Sequence, residues 1–86
     1  MADINFNDNV YVVATAQIRG NFIEKELVRV HNFEEADETA KAFATIFEKK
    51  YNNKGYWLSV VIKKVDDFDN PHRGGKIYEV YMDSLF

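Results

Sequence analysis

The chain has 86 residues, 47% of them hydrophobic and 29% charged, which is the composition of one small globular domain and excludes a disordered chain. Fourteen acidic and eleven basic side chains leave a net charge of −3, which argues against a general binder of nucleic acid or of anionic membranes. Cysteine is absent, and this excludes disulfides, cysteine-ligated zinc and thiol catalysis.

Neither a membrane span nor a signal peptide is expected. No apolar run approaches the roughly 18 residues that a membrane span needs, and residues 1–10 are acidic and rich in asparagine. We therefore expect a soluble, cytoplasmic domain. The abundance of residues with AT-rich codons, such as Phe, Tyr, Ile, Asn and Lys, also suggests a low-GC genome and a bacteriophage or mobile-element origin.

The first two predicted elements form a β-hairpin. Residues 10–19 alternate apolar side chains at period two, and Gly20 and Asn21 tolerate the positive φ of a tight turn. The return strand, residues 22–31, alternates imperfectly: Ile23 and Leu27 lie on one face, and Phe22, Val28 and Val30 on the other. Either a bulge near Lys25 and Glu26 swaps the faces, or the base of the hairpin is apolar on both sides.

Residues 33–52 are predicted to form a helix. Asn32 is suited to cap its first N–H groups, and Glu35 completes a capping-box spacing. Carboxylates cluster in its first turn, and lysines lie in its last turn, as the helix dipole favours. Apolar residues at spacings of three and four form one stripe: Phe33, Ala36, Ala40, Phe43, Ala44, Phe47 and Tyr51.

Two further strands complete the predicted fold. Residues 56–65 are apolar on both faces, as in a strand that is central or covered on both sides. A loop over residues 66–76 precedes a fourth strand over residues 77–83. The order ββαββ predicts a single two-layer α+β domain, a four-stranded antiparallel sheet with one helix on one face. The helix is expected to cover a set of strand residues: Leu58, Val60, Ile62, Val80 and Met82.

The other face of this sheet lacks a second helix to cover it. We expect an exposed apolar patch there, formed by Trp57, Val61, Ile77 and Tyr81. Large apolar patches on small domains mark interfaces, and two-fold dimers are the commonest oligomers, so the patch predicts a homodimer. Pairing through the edges of two sheets is the alternative geometry. If the chain is a monomer, residues 4–6 or residues 85–86 are the first candidates to cover the patch.

The loop after the third strand is the strongest candidate for a metal or phosphate site, and we expect neither. Asp66, Asp67, Asp69 and His72 offer clustered ligands, but they lack the alternation and the distal glutamate of an EF-hand. The segment Arg73-Gly74-Gly75-Lys76 lacks the following helix and the Lys-Ser/Thr ending of a P-loop. Turn chemistry around Pro71 explains the composition, so a solvated hairpin loop is predicted.

A chelator is therefore expected to leave the melting temperature of the protein unchanged. Turn formation and solvation account for the loop residues without an ion. The measurement is a thermal melt with and without EDTA. A clear fall in melting temperature that calcium or magnesium restores would contradict this prediction.

Catalysis is not expected, and no catalytic residue or cofactor is predicted. A nucleophile–base pair would have to combine His31 or His72 with a hydroxyl group, and neither Ser59 nor Ser84 is placed on a strained turn. Helix capping and the helix dipole account for the carboxylates near residue 35.

The sequence predicts a small acidic protein-interaction module that pairs with itself and with a protein partner of unknown identity. If the origin is a mobile element, the acidic residues 34–38 and 66–69 suggest an inhibitor that binds a host defence or nucleic-acid-processing protein. The alternative is a module that stacks single-stranded nucleic acid on the aromatic sheet face, with these candidate residues: Trp57, Tyr81, Lys63 and Arg29. A salt-dependent electrophoretic shift with short RNA and DNA separates the two.

Overall fold

The computed structural model describes residues 4–51 and 55–84. Its elements, in chain order, are β1 (Val10–Ile18), β2 (Asn21–Arg29), α1 (Phe33–Lys50), β3 (Tyr56–Lys64) and β4 (Ile77–Ser84). The strands form one antiparallel sheet in the order β2-β1-β3-β4, and α1 packs on one face of it. The predicted two-layer ββαββ fold is thus confirmed. We call the side that α1 covers the helix face and the opposite side the far face.

The main core lies between α1 and the two central strands. Its buried residues come mostly from alternate positions of β1 and β3 and from one side of α1: Val10, Val12, Ala14, Ala16, Leu58, Val60, Ile62, Ala36, Ala40 and Phe47. Phe33, Phe43, Ala44 and Tyr51 pack around it half-buried. The predicted helix stripe is therefore confirmed, and its alanines allow the large rings to reach the sheet.

The start of α1 is capped as predicted, with one change. The Asn32 side chain accepts the backbone N–H of Glu35 at 2.8 Å. The Glu35 carboxylate accepts the backbone N–H of His31 at 3.2 Å, one residue before the position that a capping box uses. At the other end, the Tyr51 N–H donates to the Phe47 carbonyl, and the helix ends at Lys50. The predicted last residue, Asn52, lies outside the described residues.

The first hairpin turns one residue earlier than predicted. Arg19 and Gly20, with φ of 51° and 80°, form the two-residue loop, and Ile18 pairs with Asn21. A bulge follows in β2, because Ala16 pairs with Glu24 whereas Gln17 pairs with Phe22, which leaves Ile23 without an opposite residue. Of the two explanations for the broken alternation, the bulge is correct, although it lies at Ile23 rather than near Lys25 and Glu26.

Two bulges in β4 change which of its side chains reach the helix. Met82 pairs with Val60, Val80 with Val61, Glu79 with Ile62 and Ile77 with Lys63, so that Tyr81 and Tyr78 have no opposite residue. Both tyrosines pack against the core on the helix face. The Tyr81 hydroxyl donates to Asp37 Oδ1 at 2.7 Å. The expected positions of Tyr81 on the far face and Val80 under the helix are therefore wrong.

The far face is covered in part by the β3–β4 loop, residues 66–76, which folds back over it. Phe68 meets the Tyr11 ring edge-on at 5.4 Å, and His72 lies over the Phe22 ring at 4.1 Å. Pro71 is among the fully buried side chains. Residues 66–69 and 73–76 are exposed, as a solvated loop predicts, but Pro71 and the His72 ring pack on the sheet, which the composition does not predict.

The segments that were expected as alternative covers of the far face lie elsewhere. Ile4 and Phe6 pack against the core on the helix face. Residues 85–86 lie outside the described part of the chain. Over residues 4–51 and 55–84, no helix is both long enough and apolar enough to cross a membrane.

Candidate interaction surface

The covered part of the far face is a second, small core. Val13, Val61 and Val65 are 2%, 6% and 2% exposed, and Tyr11 and Leu27 pack against them half-buried. These residues come from β1, β2, the middle of β3 and the position just after it, on the face over which the β3–β4 loop folds. The loop therefore covers this part of the far face, as α1 covers the helix face.

The uncovered part of the far face runs along the edge of the sheet. Trp57, Ile77 and Val80 are 41%, 53% and 54% exposed, and we call these three residues the β4 strip. The Trp57 Nε1–H donates to Asp83 Oδ1 at 3.1 Å, which holds the indole across the end of β4. The strip exposes on the order of a few hundred Å² of apolar surface, the size of the largest patch on a typical monomer.

Two of the four predicted interface residues lie on this strip, at its opposite ends. Trp57 and Ile77 belong to it, whereas Val61 is buried under the loop and Tyr81 faces the helix. Val80 takes the place of Tyr81. Sequence reasoning missed Val80 because regular alternation assigns it to the helix face, and the bulge at Tyr81 reverses this assignment.

The two edge strands differ in how suitable they are for pairing with another strand. β2 carries charged side chains at consecutive positions, Glu24, Lys25 and Glu26, beside its bulge, and these features discourage strand addition. β4 is more apolar, but its bulges at Tyr78 and Tyr81 interrupt the regular spacing that a continuous ladder requires. The exposed face of β4 is therefore a better contact surface than its edge.

A group of basic side chains lies under and within the β3–β4 loop. Lys63 is only 2% exposed, and burial lowers its pKa, partly offset by the Asp66 carboxylate. His72 Nδ1 is buried without a hydrogen-bond partner. Burial also lowers the pKa of His72, and Arg73, Lys25 and Lys63 lower it further. The docked position of the loop therefore favours the neutral imidazole over the protonated one.

The loop carboxylates serve the turn itself. Asp67 Oδ1 accepts the backbone N–H groups of Asp69 at 3.0 Å and Asn70 at 3.2 Å, and the Asn70 side chain donates to its other oxygen. These hydrogen bonds lower the pKa of Asp67. Within the described ranges, no three His, Asp or Glu side chains are placed to hold a metal ion together.

One polar cluster gave no signal in the sequence. The Glu24 carboxylate on β2 accepts hydrogen bonds from Lys50 Nζ, at 2.8 Å, and from the Tyr51 hydroxyl at the end of α1. These bonds lower the pKa of Glu24, and the nearby Glu24 carboxylate raises the pKa of Glu26. The cluster ties the helix end to an edge strand. Its partners are too far apart in sequence for local spacing to reveal them.

The residues considered for catalysis do not come together. His31 contacts Glu35 at 3.2 Å beside the helix start, and His72 stacks on Phe22. Ser59 lies in the middle of β3. No hydrogen bond joins either histidine to a serine or threonine among the side chains that the structure describes.

The candidate nucleic-acid residues are also separated. Trp57 is exposed, but Tyr81 faces the helix and Lys63 is buried. Arg29 donates to Asn9 Oδ1 and to the Phe6 carbonyl, both at 3.2 Å. They do not form one exposed aromatic surface flanked by cations, which base stacking requires.

The two acidic segments lie on opposite faces of the sheet. Residues 34–38 begin the helix, and residues 66–69 belong to the loop on the far face. Asp37 is bound to Tyr81 and to Lys41 Nζ, the latter at 2.9 Å, and Asp67 is used by its own turn.

No family model, curated protein or solved structure matches this chain. Among the surfaces described above, the β4 strip carries three of the exposed large apolar side chains on one face of the sheet.

Proposed function

We propose that the chain is a non-enzymatic protein-interaction module that pairs with a second copy of itself through the β4 strip. The observation that carries this proposal is the incomplete cover of the far face. The β3–β4 loop buries Val13, Val61 and Val65, yet Trp57, Ile77 and Val80 stay between 41% and 54% exposed beside them. Exposed apolar side chains grouped in this way are typical of contact surfaces.

A second copy fits this surface for two reasons. A two-fold axis across the strip places the Ile77 end of one strand against the Trp57 end of the other, so each copy covers the strip of its partner. The same arrangement brings together opposite ends of β4, which carry opposite charges, Lys76 just before the strand and Asp83 near its end. Charge complementarity of this kind favours one register over others.

The size of the strip sets the strength of the contact. A few hundred Å² of apolar surface is less than the roughly 800 Å² per partner that a standard stable interface buries. We therefore expect a dimer that dissociates on dilution in the micromolar range rather than an obligate one.

Light scattering is expected to report a mass near twice the 10.0 kDa of the chain at high micromolar concentration. Val80→Lys should shift the protein to the monomer, because it places a charge in the middle of the strip. The matched control is Ile46→Lys: Ile46 is 53% exposed, close to the 54% of Val80, but lies on α1. Circular dichroism on both variants checks that the fold is retained.

Two results would contradict the proposal. One is a wild-type protein that stays monomeric at every concentration, and the other is equal loss of association in Val80→Lys and Ile46→Lys. Val61→Lys and Tyr81→Lys are unsuitable tests, because they insert a charge into a core and are expected to unfold the protein. Short RNA and DNA are expected to give no salt-dependent electrophoretic shift.

A further inference from the structure

Side-chain contacts to β1 and β2 hold the middle of the β3–β4 loop on the sheet. Phe68 touches Tyr11 through an edge, His72 stacks on Phe22, and Lys25 Nζ donates to the Asp69 carbonyl at 3.3 Å. Phe68 itself is 52% exposed, so the edge contact leaves half of its surface in water. The stacked His72 ring and the buried Pro71 beside it therefore provide the central contacts of the cover.

The surroundings of His72 are unfavourable for a positive charge. Its Nδ1 is buried without a partner, so a proton added there gains no acceptor. Lys25 faces it from β2, Lys63 from β3 and Arg73 from the loop, and Asp67 is the acidic group near it. A protonated imidazole would be the fourth cation of this group. Asp67 is already bound to the backbone of the turn, and Asp66 acts on Lys63.

We propose that the β3–β4 loop is a pH-controlled cover of the far face, which the protonation of His72 releases from the sheet. Released, the imidazole regains water and moves away from Lys25 and Lys63, the two cations that belong to the sheet. In the docked loop the protonated imidazole is out of water and close to these cations, so acid favours the released loop.

The direction with pH follows from linkage. The docked state holds His72 with a pKa below its usual value near 6.5, so docking is fully stable above that pH and weakens as the pH falls through it. Because one proton is involved, the ratio of released to docked loop rises by at most about tenfold for each pH unit. Glu24 and Glu26 also have shifted pKa values, but the hydrogen bonds of their cluster join β2 to the end of α1 and not to the loop.

Release has a consequence for assembly, which rests on the function proposed above. Val61 pairs with Val80 across β3 and β4, so the surface under the loop is continuous with the β4 strip. When the loop leaves, Val13, Val61 and Val65 join the strip in one larger apolar surface. Self-association is therefore expected to strengthen between pH 7.5 and pH 5.5.

The cover is tested by NMR between pH 8 and pH 5. Wild-type protein should lose the cross-peaks between the His72 and Phe22 rings as the pH falls, and the amide signals of Val61 and Val65 should shift with the same midpoint. His72→Gln cannot take up the proton, so the amide signals should show no such transition. His72→Phe should also show no transition, and it keeps a ring over Phe22. His31→Gln removes the other, exposed histidine and should behave as the wild type does.

Retention of the ring cross-peaks down to pH 5, or an unchanged transition in both His72 variants, would overturn the cover. Light scattering at pH 7.5 and 5.5 then tests assembly separately. Loop release in a protein that stays monomeric at both pH values would support the cover and contradict the dimer. A dimer at both pH values with a docked loop would support the dimer and contradict the cover.

Discussion

Replacing Phe47 with alanine is expected to lower the free energy of unfolding by about 3–5 kcal/mol, the usual loss for a buried aromatic ring. Phe47 is 1% exposed and is the largest fully buried side chain among the described residues. Its ring meets Phe43 edge-on at 6.1 Å and Tyr51 at 5.4 Å, so the cavity would be lined by rings that lose their partner. In a domain this small, such a loss consumes most of the stability.

Urea unfolding followed by circular dichroism measures this effect, and two variants on the same helix calibrate it. Asn32→Ala removes the cap and is expected to cost about 1 kcal/mol. Ile46→Ala changes a side chain that is 53% exposed, so it should change the free energy of unfolding by less than about 0.5 kcal/mol. Similar urea midpoints for Phe47→Ala and Asn32→Ala would show that the core is placed incorrectly.

The second large effect is expected at Gly75. A Cβ at this position would lie 1.9 Å from the Lys64 carbonyl oxygen and 3.1 Å from its carbon, and the residue has φ of +70°. The neighbour is backbone, so the chain itself must move. We expect Gly75→Ala to destabilise the protein by about 2–5 kcal/mol, the sum of left-handed strain and overpacking.

Gly74→Ala is the matched control. Gly74 has a similar φ of +62°, but its Cβ would meet only Asp66 Oδ2, at an ordinary 3.6 Å. Gly74→Ala should therefore lower the free energy of unfolding only by the strain of the left-handed backbone, about 1–2 kcal/mol. Thermal melts of both variants measure the difference, and equal losses would mean that the close approach of Gly75 to Lys64 is not what fixes the end of the loop.

The elements of the fold were predictable from the sequence, because their signals are local. Asn32 and the apolar stripe of α1 are set by spacings within one helix, and the apolar run of β3 marks it as a central strand. The bulges were not predictable in the same way. The bulge at Tyr81 goes with a hydrogen bond to Asp37, a residue 44 positions away on another element. Local alternation therefore assigned Tyr81 and Val80 to the wrong faces.

The return of the β3–β4 loop onto the far face was also hidden from local reasoning. The composition of the loop, rich in Asp, Asn, Pro and Gly, correctly predicted a turn, and the hydrogen bonds of Asp67 stabilise that turn. What the composition could not show is that Pro71 is buried and that the Phe68 ring contacts Tyr11 on the sheet. Two apolar residues among polar ones are a weak signal of such packing. The partly covered far face, and with it the extent of the β4 strip, follows from this single feature.

The pairing of β1 with β3 also determines how the chain can fold. Val10 lies opposite Lys64, and Ile18 lies opposite Tyr56, with β2 and α1 between them in sequence. The centre of the sheet thus joins the first hairpin to the second across a long chain closure, whereas each hairpin by itself is only marginally stable in water. The core cannot form until β1 pairs with β3. We therefore expect folding to be slower and to occur in one cooperative step rather than by stepwise addition of hairpins.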